Sequence, residues 1–132
     1  TPLRIAAGWG SAKVVRVLLD AGSDVAARDI DFTTPLHLAI RGAGVNLVGV
    51  LLEAGADVAA RNRDGEMALH VGARRGDEPV LWILLGFLKT HLAHSFSAHV
   101  EARDRNARTP LHVAASRRGD EKVVMILLDA GA

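Results

Sequence analysis

Apolar residues recur along this chain in short bursts at helical spacing, with glycine between them. In one such stretch Leu36, Ala39 and Ile40 share a helix face, and beyond Gly42-Ala43-Gly44 a second face carries Leu47, Val48, Val50, Leu51 and Leu52. Thr34 suits the position before the first helix, because its hydroxyl accepts from an orphan amide, and Pro35 suits the first helical position, where no amide is needed. Gly55 fits the left-handed conformation that closes the second helix. The pattern therefore predicts a pair of short helices over this stretch.

The pair repeats. At an offset of 33, Thr1-Pro2-Leu3 falls on Thr34-Pro35-Leu36, Val14-Val15 on Leu47-Val48, and Leu18-Leu19 on Leu51-Leu52. Another 33 residues bring in Met67-Ala68-Leu69-His70, with Val80-Leu81 and Leu84-Leu85 following. The fourth copy opens at Thr109-Pro110-Leu111-His112, 42 residues later, so nine residues are inserted in copy three. Helix pairs are predicted near Pro2 to Leu19, Pro35 to Leu52, Ala68 to His91 and Pro110 to Leu128. A pair this small cannot bury its apolar face alone, so the copies must stack side by side.

The period and the segments Thr34-Pro35-Leu36-His37-Leu38-Ala39 and Thr109-Pro110-Leu111-His112-Val113-Ala114 resemble the ankyrin repeat family, over essentially the whole chain. The resemblance implies an all-α helical solenoid of stacked helix pairs joined by β-hairpin fingers, here Arg28 to Thr34, Arg61 to Met67 and Arg103 to Thr109. It implies that His37, His70 and His112 hydrogen-bond to the fingers. The repeats run approximately over 1–33, 34–66, 67–108 and 109–132. Since copy one lacks its finger and no polar capping repeat is visible, the chain is read as one segment of a longer protein, with Val14, Val17, Val124 and Leu128 partly facing water.

Three departures matter. Copy three replaces the threonine cap and proline by Met67-Ala68, which costs about 1 kcal/mol and leaves it leaning on its neighbours. The finger's turn glycine survives only as Gly65, with Phe32 and Ala107 in the matching slots, so those two fingers are expected to be reshaped. In the insertion, Leu81, Leu85, Leu88 and Leu92 prolong the second helix about two turns, to His91 or beyond. Two readings of the insert stand: it folds back so that Phe87 or Phe96 shields Trp82, or it is a tolerated surface insertion.

Composition excludes more than it adds. The net charge of +1 gives no global attraction to nucleic acid or membrane, although the cations are 13 Arg against 3 Lys. Without cysteine there is no disulfide framework, which suits an intracellular, cytoplasmic or nuclear, setting. No apolar run is long enough to span a bilayer. The T-P-L-H histidines sit one repeat apart, too far to share an ion, and His91, His94 and His99 lack a completing ligand set beyond Glu101. Gly8-Trp9-Gly10 before Lys13 lies in a turn between helices, not after a strand, so the nucleotide-loop reading fails. Nothing supports an enzyme or a cofactor.

Function is therefore expected at a surface. Carried over by position, the family's concave groove of finger tips and first helices comprises Trp9, Ile30, Phe32, Thr33, Arg41, Arg63, Glu66, Arg74, Arg75, Arg105, Arg108, Ser116 and Arg117. Its first half is aromatic and apolar, and its second half is rich in arginine. Arginine pairs with carboxylates and aromatics anchor interfaces, so a protein partner with an apolar anchor beside an acidic stretch fits. Two alternatives are a regulatory or assembly segment of a larger enzyme or channel, and an arginine content that merely solvates the surface. Oligomeric state is not legible.

Overall fold

The computed structural model describes residues 1–116 and 120–132. Helices α1 (Pro2–Trp9), α3 (Pro35–Gly42), α5 (Ala68–Arg75) and α8 (Pro110–Ala115) form an inner row. Helices α2 (Ala12–Asp20), α4 (Val45–Glu53), α6 (Glu78–His91) and α9 (Glu121–Asp129) form an outer row, and α7 (Phe96–Val100) follows a single 3-10 turn in the insert. Within each row every helix packs on the next, and within each copy the two helices pack on each other. The apolar seam between the rows runs from Leu3 through Leu36, Leu51, Leu69 and Leu84 to Leu127.

The predicted caps are in place. Thr1, Thr34 and Thr109 accept from the amides of Arg4, His37 and His112, and Ser11, Asp77 and Asp120 open α2, α6 and α9 in the same way, while α4 opens at Gly44 without a side-chain cap. At Met67 the hydroxyl's half of the arrangement is missing, and only the reverse bond survives, from the Met67 amide to His70 Nδ1 at 3.3 Å. Burial compensates: Ala68 through Ala73 of α5 are all buried between α3 and α8.

The fingers differ from expectation in two ways. No residue among those described is in a strand; each finger is a tight turn rather than a β-hairpin. The cause is a shortage of pairing: the finger at 28–34 closes with Asp29 N–H to Thr33 O at 3.2 Å, and Arg63 N–H to Asp31 O at 2.8 Å joins it to the next. Nor are the glycine-less fingers reshaped. Phe32 (φ 58°) and Ala107 (φ 59°) adopt the same left-handed conformation as Gly65 (φ 73°). An asparagine or aspartate at each finger's start enforces it: Asp29 Oδ1 accepts from the amides of Asp31 and Thr33, Asn62 Oδ1 from Asp64 and Glu66, and Asp104 Oδ1 from Asn106 and Arg108.

Helix α6 has 14 residues where α2, α4 and α9 have nine each, so the extension reaches His91 as its leucine spacing predicts. The insert does not shield Trp82, which is 56% exposed. Trp82 lies on the outward face of α6, and the chain leaves the helix at Leu92, roughly 15 Å further along at about 1.5 Å per residue. The insert instead buries Leu88, His99 and Val100 and carries the chain to the finger at Arg103.

The left-handed turns set a stability test. Ala107→Gly relieves a conformation costing about 1–2 kcal/mol, against roughly 0.4–1 kcal/mol for the greater freedom of glycine in the unfolded chain. It should raise the urea midpoint. Gly65→Ala should lower it, because the added Cβ meets a left-handed φ and comes within 2.8 Å of the Arg105 amide nitrogen.

Candidate functional site

The inner helices and the fingers form one face, and its shape follows from how each finger is held. In His37 the ring nitrogen Nδ1 accepts from the Thr34 amide at 3.3 Å, so the proton resides on Nε2, which donates to the Glu66 carbonyl of the next finger at 3.1 Å. His70 repeats this from the Met67 amide to the Arg108 carbonyl, at 2.9 Å. His112 keeps the near half of the arrangement with Thr109. Burial is the main cause that pushes His37 and His70 below the usual imidazole value, so both are neutral donors. Arginines add further ties: in the fingers Arg61 donates to the carbonyls of Gly65 and Arg103, and Arg103 to that of Ala107, while Arg4 of α1 reaches Asp29 at 3.1 Å.

The aspartates that shape the fingers are themselves tuned. Burial would raise the Asp29 and Asp104 carboxyls, but the amide hydrogen bonds they accept, with Arg4 and Arg108 alongside, hold both below the ordinary carboxylate range.

Three hollows follow one another along this face. The first, about 410 Å³, is bounded by Arg4, Ile5, Gly8, Trp9 and Leu38. Trp9 (85%) and Ile30 (92%) are almost wholly exposed, and Ile5 and Phe32 are exposed too. The second, about 220 Å³, lies between Asp31, Thr33, Arg41 and Arg63. The third, about 470 Å³, shares Arg41 and adds Val71, Arg74 and Arg75 over Glu66.

Of the residues expected to meet a partner, the structure removes two and divides the arginines. Thr33 and Glu66 are buried beneath the face, Glu66 completely, because its carboxylate is a structural acceptor for Asn62 Nδ2 and Arg74. Arg74 is thus tied to a buried charge, and Arg108 is tied to buried Asp104 through two 2.9 Å contacts. Arg63 makes an exposed pair with Asp31 at 3.0 Å. Arg41, Arg75 and Arg105 are exposed and make no ion pair among the described residues. Ser116 is exposed, with its hydroxyl donating to Val113 O, and Arg117 lies outside the described residues. Sequence reading missed the finger-opening dipeptides Arg28-Asp29, Arg61-Asn62 and Arg103-Asp104, whose recurrence in register was the available signal. It also missed Ile5, which occupies the variable slot after the histidine position.

In the insert, His91 Nδ1 donates to Phe87 O at 3.2 Å and His99 Nδ1 to Ser95 O at 2.8 Å. No group of three or more metal-ligating side chains occurs among the described residues.

This architecture, paired helices in two rows with turn-like fingers tied by His37 and His70 to the next copy, defines a helical repeat solenoid. The family model for ankyrin repeats, described as three copies, matches residues 1–62 and 36–132, and the chain belongs to the ankyrin repeat family. No curated protein matches the chain. Ankyrin repeats generally mediate protein–protein interactions and are typically non-enzymatic scaffolds. No helix among the described residues is long and apolar enough to cross a membrane.

The buried histidines give the fold an acid limit with a definite sign. Their folded values lie below the usual 6.5, so the stability they contribute is complete above that pH and is lost as pH falls through the lowered values. Asp29 and Asp104, also lowered, act in a separate window below 3.8. The melting temperature should be flat above neutrality and fall in two stages below it. Replacing both histidines by glutamine should remove the upper stage and keep the lower one; an unchanged upper stage would show that other groups cause it.

Proposed function

We infer that this segment is a protein-interaction scaffold whose binding surface is the face of fingers and inner helices. The observation that carries the reading is the set of exposed arginines left without an internal carboxylate, Arg41, Arg75 and Arg105, of which Arg41 and Arg75 line a hollow with Val71, while a separate hollow along the face is lined by Ile5 and Trp9. An exposed cation that the fold does not use is available to a partner, and an adjacent apolar hollow supplies the desolvated anchor point that surface charge alone lacks. The partner that fits carries an aliphatic or aromatic anchor beside an acidic stretch. Arg74 contributes mainly by holding Glu66, so its guanidinium sets the shape of the third hollow more than its charge.

A fluorescent peptide bearing a leucine beside four glutamates tests this by anisotropy at two salt concentrations. The double reversal Arg41→Glu with Arg75→Glu should weaken binding by more than about 2 kcal/mol, roughly 30-fold, with the largest effect at low salt. It should leave the helical spectrum unchanged, since surface substitutions usually stay within about 0.5 kcal/mol. Arg16→Glu, on the outer row, should do little. Arg74→Glu should behave differently, lowering stability toward the lower end of roughly 3–5 kcal/mol because it leaves the buried Glu66 carboxylate unpaired. Equal losses from the double reversal and from Arg16→Glu would remove this face as the site.

A further inference from the structure

A further apolar hollow lies on the outer row of helices. It sits between α4 and α6, has a volume of about 510 Å³, and is walled by Leu52, Ile83 and Phe87. Two glycines and one length mismatch create it. At Gly49 a Cβ would come within 3.3 Å of Ile83 Cδ1, so the glycine lets Ile83 lie against α4. At Gly86 a Cβ would meet nothing within 4 Å, which leaves the middle of the hollow open. Helix α4 ends at Glu53 while α6 continues to His91, so the last turns of α6 overhang with no outer helix of equal length on the α4 side.

The polar groups on the rim share one chemical property. Glu53, exposed in the last turn of α4, makes no ion pair among the described residues and stands at the negative end of that helix's dipole. Thr90 spends its hydroxyl proton on Gly86 O at 2.8 Å, which leaves its oxygen lone pairs outward. His91 stacks on Phe87 with ring centroids 4.4 Å apart. Its Nδ1 proton goes to Phe87 O, so in the neutral ring Nε2 is an acceptor. Lys89, the nearest cation in sequence, is drawn away over the Phe96 ring. The rim therefore offers acceptors and one full negative charge.

We propose that this hollow is a second docking site, for a partner segment that presents an aromatic or branched aliphatic side chain followed by a lysine or arginine. The anchor fills the space above Gly86 against Leu52, Ile83 and Phe87. The cation donates to Glu53 and to the acceptors of Thr90 and His91. The site is independent of the finger face, which selects the opposite charge, so one segment of this chain can hold two chemically distinct partners at once.

Two capped dipeptides serve as probes, N-acetyl-Trp-Lys amide and N-acetyl-Trp-Glu amide, titrated into the isotopically labelled protein and followed by NMR. The lysine peptide should shift the resonances of Leu52, Ile83 and Phe87 saturably and bind about fivefold more tightly than the glutamate peptide. Gly86→Leu should abolish those shifts while strengthening α6, because a glycine inside a helix is replaced by a good helix former. Glu53→Lys, at an exposed position, should reverse the peptide preference. The proposal is overturned if neither peptide gives saturable shifts at these residues, if the two bind equally, or if Gly86→Leu binds like the parent. Concentration-dependent shifts at the same residues without peptide would overturn it also, by making a second copy the occupant.

Discussion

A neutral imidazole reaching from one helix to the carbonyl of the following finger couples copy two to copy three and copy three to copy four, while Arg4 and Asp29 join copy one to copy two. His37 and His70 sit where the inner helix begins, so each fixes the helix start on one side and the position of the next turn on the other. Apolar stacking alone does not specify register, because leucine against leucine tolerates sliding along the row. The directional bond from Nε2 to Glu66 O or Arg108 O does not, and it requires the ring to be uncharged. Burial supplies that condition, and the Thr34 amide fixes which nitrogen bears the proton. Copy three shows the hierarchy: it has lost the threonine and the proline, yet keeps its histidine and its place in the stack.

The helices were legible in the sequence because their signals are local. Threonine, serine or aspartate before most of the helices, proline at the first position of α1, α3 and α8, and glycine just after α2, α4 and α9 mark boundaries within a few residues, and the leucine spacing at 81, 85 and 88 measured the length of α6. The fingers were less legible because what determines them is a competition. Missing glycines at Phe32 and Ala107 argued for altered turns, but the side-chain carboxylates of Asp29 and Asp104 accept two amides each and hold a left-handed residue in place. A propensity for one residue was outweighed by hydrogen bonds from another, three positions before it. The position of Trp82 failed for a different reason. Sequence spacing placed an insert after α6, but the direction in which the chain leaves a helix is set by packing at Leu92 and Val100, which no local pattern encodes.

The surface divides in the same way. Position along the repeat assigned the arginines to finger and inner-helix slots, and it could not tell which of them the fold already uses. Arg74 and Arg108 resemble Arg75 and Arg105 in sequence, each one position from its neighbour or within the same finger. They differ because a buried carboxylate lies under one set and not the other. A cation over a buried anion is part of the scaffold, and its electrostatic reach is reduced by the pairing.

A perfectly regular solenoid has a translational degeneracy: a ligand that recognises one rung recognises the next almost as well, and settles at several places along the array. The extra turns of α6 break that equivalence on the outer row at one rung only. Whatever sits against the step is placed in a single position and orientation relative to the inner face, a distance of one domain's thickness away. A stack of near-identical units thereby gains an origin from which positions along it can be counted.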